Sequence, residues 1–103
     1  MPLLISTSVD AATVTIRPVG DIDLATEPAL AAALDKAIGT DGSDTIVVDL
    51  SGTAFMDCFG MSALIHARRA AAERDMKLRV HGADGLPLLV LRITGVWEYL
   101  AGS

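Results

Sequence analysis

A short β-branched run in the middle of the chain constrains the fold more than any other feature. The run consists of Ile46, Val47 and Val48, and the apolar Leu50 follows it after Asp49. It does not alternate with polar residues, which predicts a strand over 45–50 that is covered on both faces. Segments with helical spacing lie on either side of it. A buried strand between helices favours an α/β fold with parallel strands.

Apolar residues at helical spacing predict three helices. The first begins after Thr26, a suitable N-cap, with Pro28 in its first turn. A second is predicted over about 58–74, and a third after Asp84, with one more turn at 96–100. The residues predicted to face inward are Met61, Leu64, Ile65 and Ala72 in the second helix, and Leu86, Leu89, Val90 and Ile93 in the third.

The remaining segments predict a single domain over residues 1–103. In the first hairpin, Val14 and Ile16 alternate with polar residues and should share the buried face. The resulting fold class is α/β, with a mixed central β-sheet, helices packed on it and the order β-β-α-β-α-β-α. The other predicted strands are 3–9, 13–19 and 77–81, and the predicted loops are 20–23 and 51–57.

Composition narrows the class of partner. The formal net charge is −5 and only four residues are aromatic, which argues against binding of nucleic acid or anionic lipid. Six of the eight basic residues fall between Arg68 and Arg92, so the second half can still present a locally positive face. No apolar run approaches the roughly 18 residues of a membrane helix, the N-terminus does not resemble a signal peptide, and one cysteine suits a reducing compartment. We therefore expect a cytoplasmic protein without membrane insertion.

Three segments carry motifs that can be compared with known families. They are Gly-Asp-Ile-Asp-Leu-Ala-Thr at 20–26, the longer motif at 48–64 that contains Asp57-Cys58-Phe59-Gly60, and Leu-Arg-Ile-Thr-Gly-Val at 91–96. They resemble motifs of the STAS domain, the fold of bacterial anti-sigma factor antagonists. The first is similar to a family segment after the second strand, the second to the longest family motif, and the third to a weaker motif near the C-terminus. The resemblance covers nearly the whole chain and implies a STAS-like fold for residues 1–103.

The resemblance also implies a function. In such antagonists, an anti-sigma factor that is a serine kinase phosphorylates the first serine after the motif's aspartate, and the unphosphorylated antagonist binds that kinase. That serine corresponds here to Cys58, and the next one to Phe59. We therefore expect a partner-switching regulator whose usual phosphorylation is disabled. The predicted partner-binding residues are Asp21, Asp23, Asp57, Cys58, Phe59, Gly60, Met61 and Ser62.

The residues themselves leave three interpretations of Cys58 open. It is an inert small residue, a thiol that is oxidised or capped in place of phosphorylation, or a catalytic nucleophile. A helix N-terminus favours a thiolate, whereas the nearby carboxylates disfavour it. His66 lies two turns further along the helix and His81 ends a different strand, so we expect no catalytic residue and no enzyme.

Several neighbouring residues also have two interpretations. Asp21 and Asp23 either form caps and turns or contact the partner, and we expect no metal and no cofactor. Ser62 is an exposed helix residue or a replacement phospho-acceptor, and Phe59 is an exposed anchor or core. Leu88 and Leu91 form an exposed apolar patch or pack under the C-terminal turn. Instead of antagonising an anti-sigma factor, the domain could be a STAS subunit of a transport or stress-signalling complex.

Overall fold

The computed structural model describes residues 3–101, in which every helix packs on the same face of a five-stranded sheet. Buried strand residues therefore alternate with half-buried or exposed ones. The elements in chain order are β1 (Leu4–Asp10), β2 (Thr13–Ile22), α1 (Glu27–Ile38), β3 (Thr45–Asp49), β4 (Thr53–Met56), α2 (Cys58–Ala72), β5 (Lys77–His81), α3 (Gly85–Ile93) and α4 (Trp97–Ala101).

The sheet is mixed, as the sequence predicts, and its strand order is β1-β2-β3-β5 with β4 paired to β2. Strand β1 runs antiparallel to β2, and the other pairs are parallel. The ten-residue β2 pairs with β3 up to Ile16 and with β4 from Gly20 onwards. This arrangement places the carboxyl ends of β2 and β4 next to each other.

The predicted loops at 20–23 and 51–57 were wrong in part. Gly20, Asp21 and Ile22 continue β2, and residues 53–56 form β4. The two short segments pair with each other through backbone hydrogen bonds. Neither sequence on its own indicates a strand, because the pairing depends on the other segment. The buried Thr53 fixes this region further, because its hydroxyl donates a 2.9 Å hydrogen bond to the Pro18 carbonyl.

The core lies between the sheet and the helices. As predicted, Val14 and Ile16 are buried there, next to Ile46 and Val48 of β3. The prediction that 45–50 is covered on both faces was wrong, because Val47 points to the open face of the sheet and is only half-buried. Because Val47 is apolar, the sequence of β3 does not show the alternation of apolar and polar residues that indicates a solvent-facing side. Helix residues that complete the core include Leu30, Leu34, Leu64, Ala67, Leu91 and Leu100.

The helices begin close to the predicted positions, but two buried faces differ from the prediction. In α2, Leu64 is buried as predicted, together with alanines 63, 67 and 71, whereas Ala72 is exposed. In α3, Pro87 and Leu91 are buried. The predicted inner residues Leu86, Leu89 and Ile93 are instead 53%, 51% and 75% exposed. Almost every position of α3 is apolar, so hydrophobic periodicity cannot select its inner face.

Candidate functional site

The loop that leads into α1 is closed by its own side chains. Asp23 Oδ1 accepts hydrogen bonds from the N–H groups of Ala25 at 3.0 Å and Thr26 at 3.1 Å. Thr26 Oγ1 accepts from the Asp23 N–H at 2.9 Å and donates to the Asp21 carbonyl at 2.8 Å. Thr26 holds the N-cap position but makes no side-chain cap bond to the helix. The polar groups here serve the loop, in an Asx-type turn.

The entry to α2 is capped by Asp57. Its Oδ1 accepts hydrogen bonds from the N–H of Phe59 at 2.9 Å and the N–H of Gly60 at 3.3 Å. Its own N–H donates to the Ile22 carbonyl at 3.1 Å, which ties this entry to the end of β2. Cys58 is the first residue of the helix and is exposed. The cap thus satisfies backbone donors and leaves the Cys58 side chain facing solvent.

Gly60 brings the entry of α2 close to the sheet. A Cβ at this position would lie 2.5 Å from Ile22 Cγ2 and 2.8 Å from Met56 Cγ. Ile22 and Met56 are fully buried at the ends of β2 and β4, so neither side chain has room to move away. The helix is therefore seated directly on the two strand ends, with Phe59 45% exposed on its outer side.

A groove of about 460 Å³ runs between α1 and α2. Its apolar lining is mostly alanine, and its polar lining is provided by Glu27, Asp35, Ser62 and His66. Sequence reasoning identified Phe59 and Ser62 but missed the wall contributed by α1. The four-residue spacing of Glu27, Ala31 and Asp35 was the available signal. The groove is lined by Glu27, Ala31, Leu34, Asp35, Phe59, Ser62, Ala63, His66, Ala67 and Ala70.

Helix α3 meets the first turn of α2 at Met61. The Thr94 hydroxyl, just after α3, lies 3.1 Å from the half-buried Met61 Sδ. Ile93, the most exposed of the large apolar residues of α3, immediately precedes it. Met61 therefore joins α3 to the α2 entry, and the exposed apolar patch consists of Leu86, Leu89 and Ile93. Leu91, which was considered for that patch, is buried, and Leu88 is half-buried.

Asp21 is not grouped with these residues. It pairs with Phe55 of β4 on the face of the sheet opposite the buried Ile22 and Met56. The ends of β2 and β4 do bring Asp23 and Asp57 to the same edge of the sheet, as the sequence suggests. Of the eight predicted residues, six lie at the start of α2, and among these Gly60 is buried beneath the others. Asp23 supports the adjacent loop, and Asp21 lies on the open face.

A third aspartate occupies the end of β3. Partial burial acts to raise the pKa of Asp49, but hydrogen bonds from the backbone and side chain of Ser51 outweigh it. The charges of His81 and Arg17 act in the same direction as these bonds, so the pKa of Asp49 lies below its ordinary value of 3.8. Asp49 Oδ1 accepts the Ser51 N–H at 2.9 Å, which is again a turn-forming interaction.

The titratable residues near Cys58 do not form a metal-binding cluster in the described part of the chain. Within residues 3–101, no group of three or more His, Cys, Asp or Glu side chains is placed to hold a metal ion. Arg68 is occupied elsewhere, since its Nε donates to the Tyr99 carbonyl at 2.7 Å and its guanidinium lies 4.4 Å from that ring. His66 lines the groove, whereas Cys58 does not. No helix in this range is long and apolar enough to cross a bilayer.

Comparison with known families identifies the fold. A family model described as "Mlab, STAS domain" matches residues 5–101, so the chain belongs to the STAS domain family. No curated protein sequence matches it. The resemblance recognised in the three motifs is thereby confirmed at the level of family and fold.

Three similar solved structures show the same fold at low identity. The unphosphorylated anti-sigma factor antagonist SpoIIAA is 20% identical, with a TM-score of 0.78 over 94% of this chain and 84% of that one. An anti-sigma factor antagonist from Mycobacterium paratuberculosis is 21% identical, with a TM-score of 0.80 over 95% and 82%. A sulfate transporter family protein from Wolinella succinogenes is 18% identical, with a TM-score of 0.75 over 92% and 76%.

Proposed function

We propose that this chain is a partner-switching regulator, an anti-sigma factor antagonist that binds a serine-kinase-type anti-sigma factor. The observation that carries the proposal is the exposed pair Cys58 and Phe59 at the start of α2. Membership of the STAS family and the similarity of the fold to anti-sigma factor antagonists support it. Any ATP would belong to the partner, and this chain needs no cofactor for binding.

The contact surface is the first turn of α2 with the adjoining groove. Phe59 supplies an aromatic side chain that is partly exposed and sits on a rigid support, which is typical of residues that dominate interface energies. Gly60 provides that support from below, and Asp57 fixes the direction of the turn. Met61 and Ser62 flank the surface. The partner would bury Phe59 and part of the alanine-lined groove.

The residue at position 58 determines whether this surface is switchable. A phosphate there would stand next to the Asp57 carboxylate, which already accepts the N–H bonds of Phe59 and Gly60. Like charges at this spacing repel each other, so a phosphate would disturb the turn and weaken the binding of a partner there. Cysteine has no hydroxyl for a serine kinase to use. We therefore propose that the chain stays in its binding-competent form.

The same arrangement favours a binding module over an enzyme. The carboxylates of Asp23, Asp49 and Asp57 each accept backbone hydrogen bonds in their own turns. They are thus engaged in shaping the chain and are not aimed together at a shared point. A thiol nucleophile would also need a base within hydrogen-bond reach, and His66 lines a groove that does not include Cys58.

Affinity capture from the native cell tests the proposal. The wild-type chain and a Phe59→Ala variant are used as bait, under reducing and oxidising conditions, and retained proteins are identified by mass spectrometry. The expected result is a histidine-kinase-like ATPase that the wild type retains and Phe59→Ala does not. Retention of that ATPase by both baits would contradict the proposed surface. Capture only under oxidising conditions would favour the thiol switch instead.

A second candidate is a STAS subunit of a transport or stress-signalling complex. The similarity to a sulfate transporter family protein is the observation that favours it. The same capture experiment separates the two functions. Recovery of ABC-transporter subunits would favour the transport complex. Recovery of a histidine-kinase-like ATPase would favour the antagonist.

A further inference from the structure

The face of the sheet opposite the helices is open. Parallel strands are usually covered on both faces, yet here the outward residues of β2, β3 and β5 are half-buried or exposed. Thr15 and Val47 lie side by side at its centre. Within residues 3–101, no helix shields them, because the helices share their core with the opposite face. This face offers a partly apolar surface to a partner.

Most of the basic residues of this face lie along β5, whereas Arg17 of β2 lies beside Asp49. Lys77, Arg79 and His81 are all exposed and alternate with the buried Leu78 and Val80. In the sheet register they stand beside residues 45, 47 and 49 of β3. The row is unusual in a chain whose formal net charge is −5.

Three acidic residues share the open face with this row, and one of them, Asp49, stands directly beside His81 in the sheet register. Asp21 lies on the same face at the end of β2, next to Phe55 of β4. Asp49 is held by the Ser51 N–H at 2.9 Å and lies 3.8 Å from Arg17 Nε. Asp10 lies on β1, across the sheet from β5, next to Thr13. Lys77 and Arg79 instead stand beside the uncharged Thr45 and Val47, so the positive charge of the β5 edge is concentrated at these two residues.

Strand β5 is also an edge strand. Among the described strands it pairs only with β3, so one side of its backbone has no partner strand. A depression of about 110 Å³ beside it is lined by Arg68, Met76, Lys77, Leu78 and Arg79. Edge strands with free backbone groups can accept an added strand from another protein.

We propose that β5 is a docking edge for an extended, acidic segment of a partner protein. The segment adds to the sheet as a further strand, and its carboxylates face the row of Lys77, Arg79 and His81. Alternate side chains of extended chains lie on one face about 6.6 Å apart, so the segment would carry acidic residues at every second position. The docking edge uses the open face of the sheet and does not depend on the Cys58 surface.

A polypeptide fits this edge better than a nucleic acid. Single-stranded nucleic acids bind through stacking of bases on aromatic side chains together with basic residues. The row on β5 contains no aromatic residue, and its neighbours on β3 are Thr45, Val47 and Asp49. Backbone pairing at an edge strand is specific to polypeptides, so the geometry selects an acidic peptide.

Nuclear magnetic resonance titration of the full ¹⁵N-labelled chain tests the proposal. The probe is a soluble peptide of about seven residues that alternates glutamate with threonine, long enough to span β5. A second peptide has the same composition with its glutamates contiguous. We expect amide shifts confined to β5 and β3, and binding of the alternating peptide about tenfold tighter than that of the contiguous one, as three matched exposed ion pairs allow.

Variants separate this site from general electrostatic attraction. The triple variant Lys77→Ser, Arg79→Ser, His81→Ser should lose about tenfold in affinity. A control with Arg69→Ser, Arg74→Ser and Arg92→Ser, which lie on helices or their ends, should bind as the wild type does. An oligothymidylate is titrated as a nucleic-acid probe. The proposal would be overturned if both peptides bound with equal affinity, or if both triple variants lost affinity equally. It would also be overturned if the oligothymidylate bound more tightly than the alternating peptide, or if the peptides caused no amide shifts on β5. In the last case the basic row serves only to keep the edge soluble.

Discussion

Helices α1 and α2 each begin just after one strand of the same parallel pair, β2 and β4, and each follows an aspartate that accepts backbone N–H bonds. At α1, the side chains of Asp23 and Thr26 bond within the loop. At α2, Asp57 caps the helix, and the next two side chains, Cys58 and Phe59, remain exposed. The same turn chemistry thus produces an α1 entry whose exposed large side chain is the aliphatic Leu24 and an α2 entry that presents Cys58 and the aromatic Phe59.

The difference arises from what lies beneath each helix. Gly60 allows the entry of α2 to rest directly on Ile22 and Met56, so the residues before it project outward. Acidic residues at the two strand ends resemble each other in sequence, but only the α2 entry combines a rigid support with an exposed aromatic side chain. We therefore propose that the α1 entry has a structural role and that the α2 entry binds the partner.

The largest expected effect is on the support beneath α2. Gly60→Ala should lower the free energy of unfolding by about 3 kcal/mol, because the added Cβ would overlap the buried Ile22 and Met56 side chains. Urea unfolding measures it. Gly39→Ala is the matched control, since its Cβ would meet only the carbonyl oxygens of Asp35 at 3.6 Å and Lys36 at 3.7 Å, which are ordinary contacts. It should stay within about 0.5 kcal/mol of the wild type. Equal stability of both variants would show that the α2 entry is not tightly seated.

The next effect concerns binding. Phe59→Ala should lower the affinity for the captured partner about 30-fold, or by roughly 2 kcal/mol. The free energy of unfolding should change little, because Phe59 is partly exposed. Isothermal titration calorimetry measures the affinity. Phe55→Ala is the control, because Phe55 is 40% exposed on the open face of the sheet and should leave the affinity unchanged. If both substitutions weaken binding equally, the α2 entry is not the interface.

A smaller effect compares the two aspartates directly. Asp57→Ala and Asp23→Ala should each lower stability by about 1 kcal/mol, since each removes side-chain bonds to backbone N–H groups. Only Asp57→Ala should also lower the affinity for the partner, because we expect the α1 loop to support the fold without touching the partner. Asp57→Asn keeps the cap and should restore stability. A stronger loss of affinity in Asp23→Ala than in Asp57→Ala would reverse the assignment.

The smallest effect is the pH dependence of Asp49. Because its folded-state pKa is lowered, the carboxylate stabilises the fold above its unfolded value of 3.8, and this contribution is lost as pH falls through the lower folded value. The wild type should therefore have a larger free energy of unfolding than Asp49→Asn near neutral pH, by less than about 1 kcal/mol. This difference should disappear in acid. Urea unfolding across this range measures it. A constant difference would mean that the charge of Asp49 plays no part.

The sequence predicts the element order and most of the helix starts, because these depend on local signals such as Thr26, Pro28 and the alternation of β2. It misses β4, since the Ser-Gly-Thr at 51–53 is typical of a turn and the strand forms only by pairing with the end of β2. The open face is hidden by Val47, and the exposed patch of α3 by a helix that is apolar at most positions. At the site, the turn at Cys58 could be predicted, but the groove wall on α1 depends on how two helices pack.

Phosphate transfer to position 58 tests the central claim most directly. The kinase retained by the wild-type chain is incubated with ATP and either the wild type or Cys58→Ser, and intact-protein mass spectrometry counts the phosphates added. We expect the wild type to bind the kinase and remain unmodified, whereas Cys58→Ser gains one phosphate at that serine and releases the kinase. Phosphate on Ser62, or on any other residue of the wild-type chain, would contradict it.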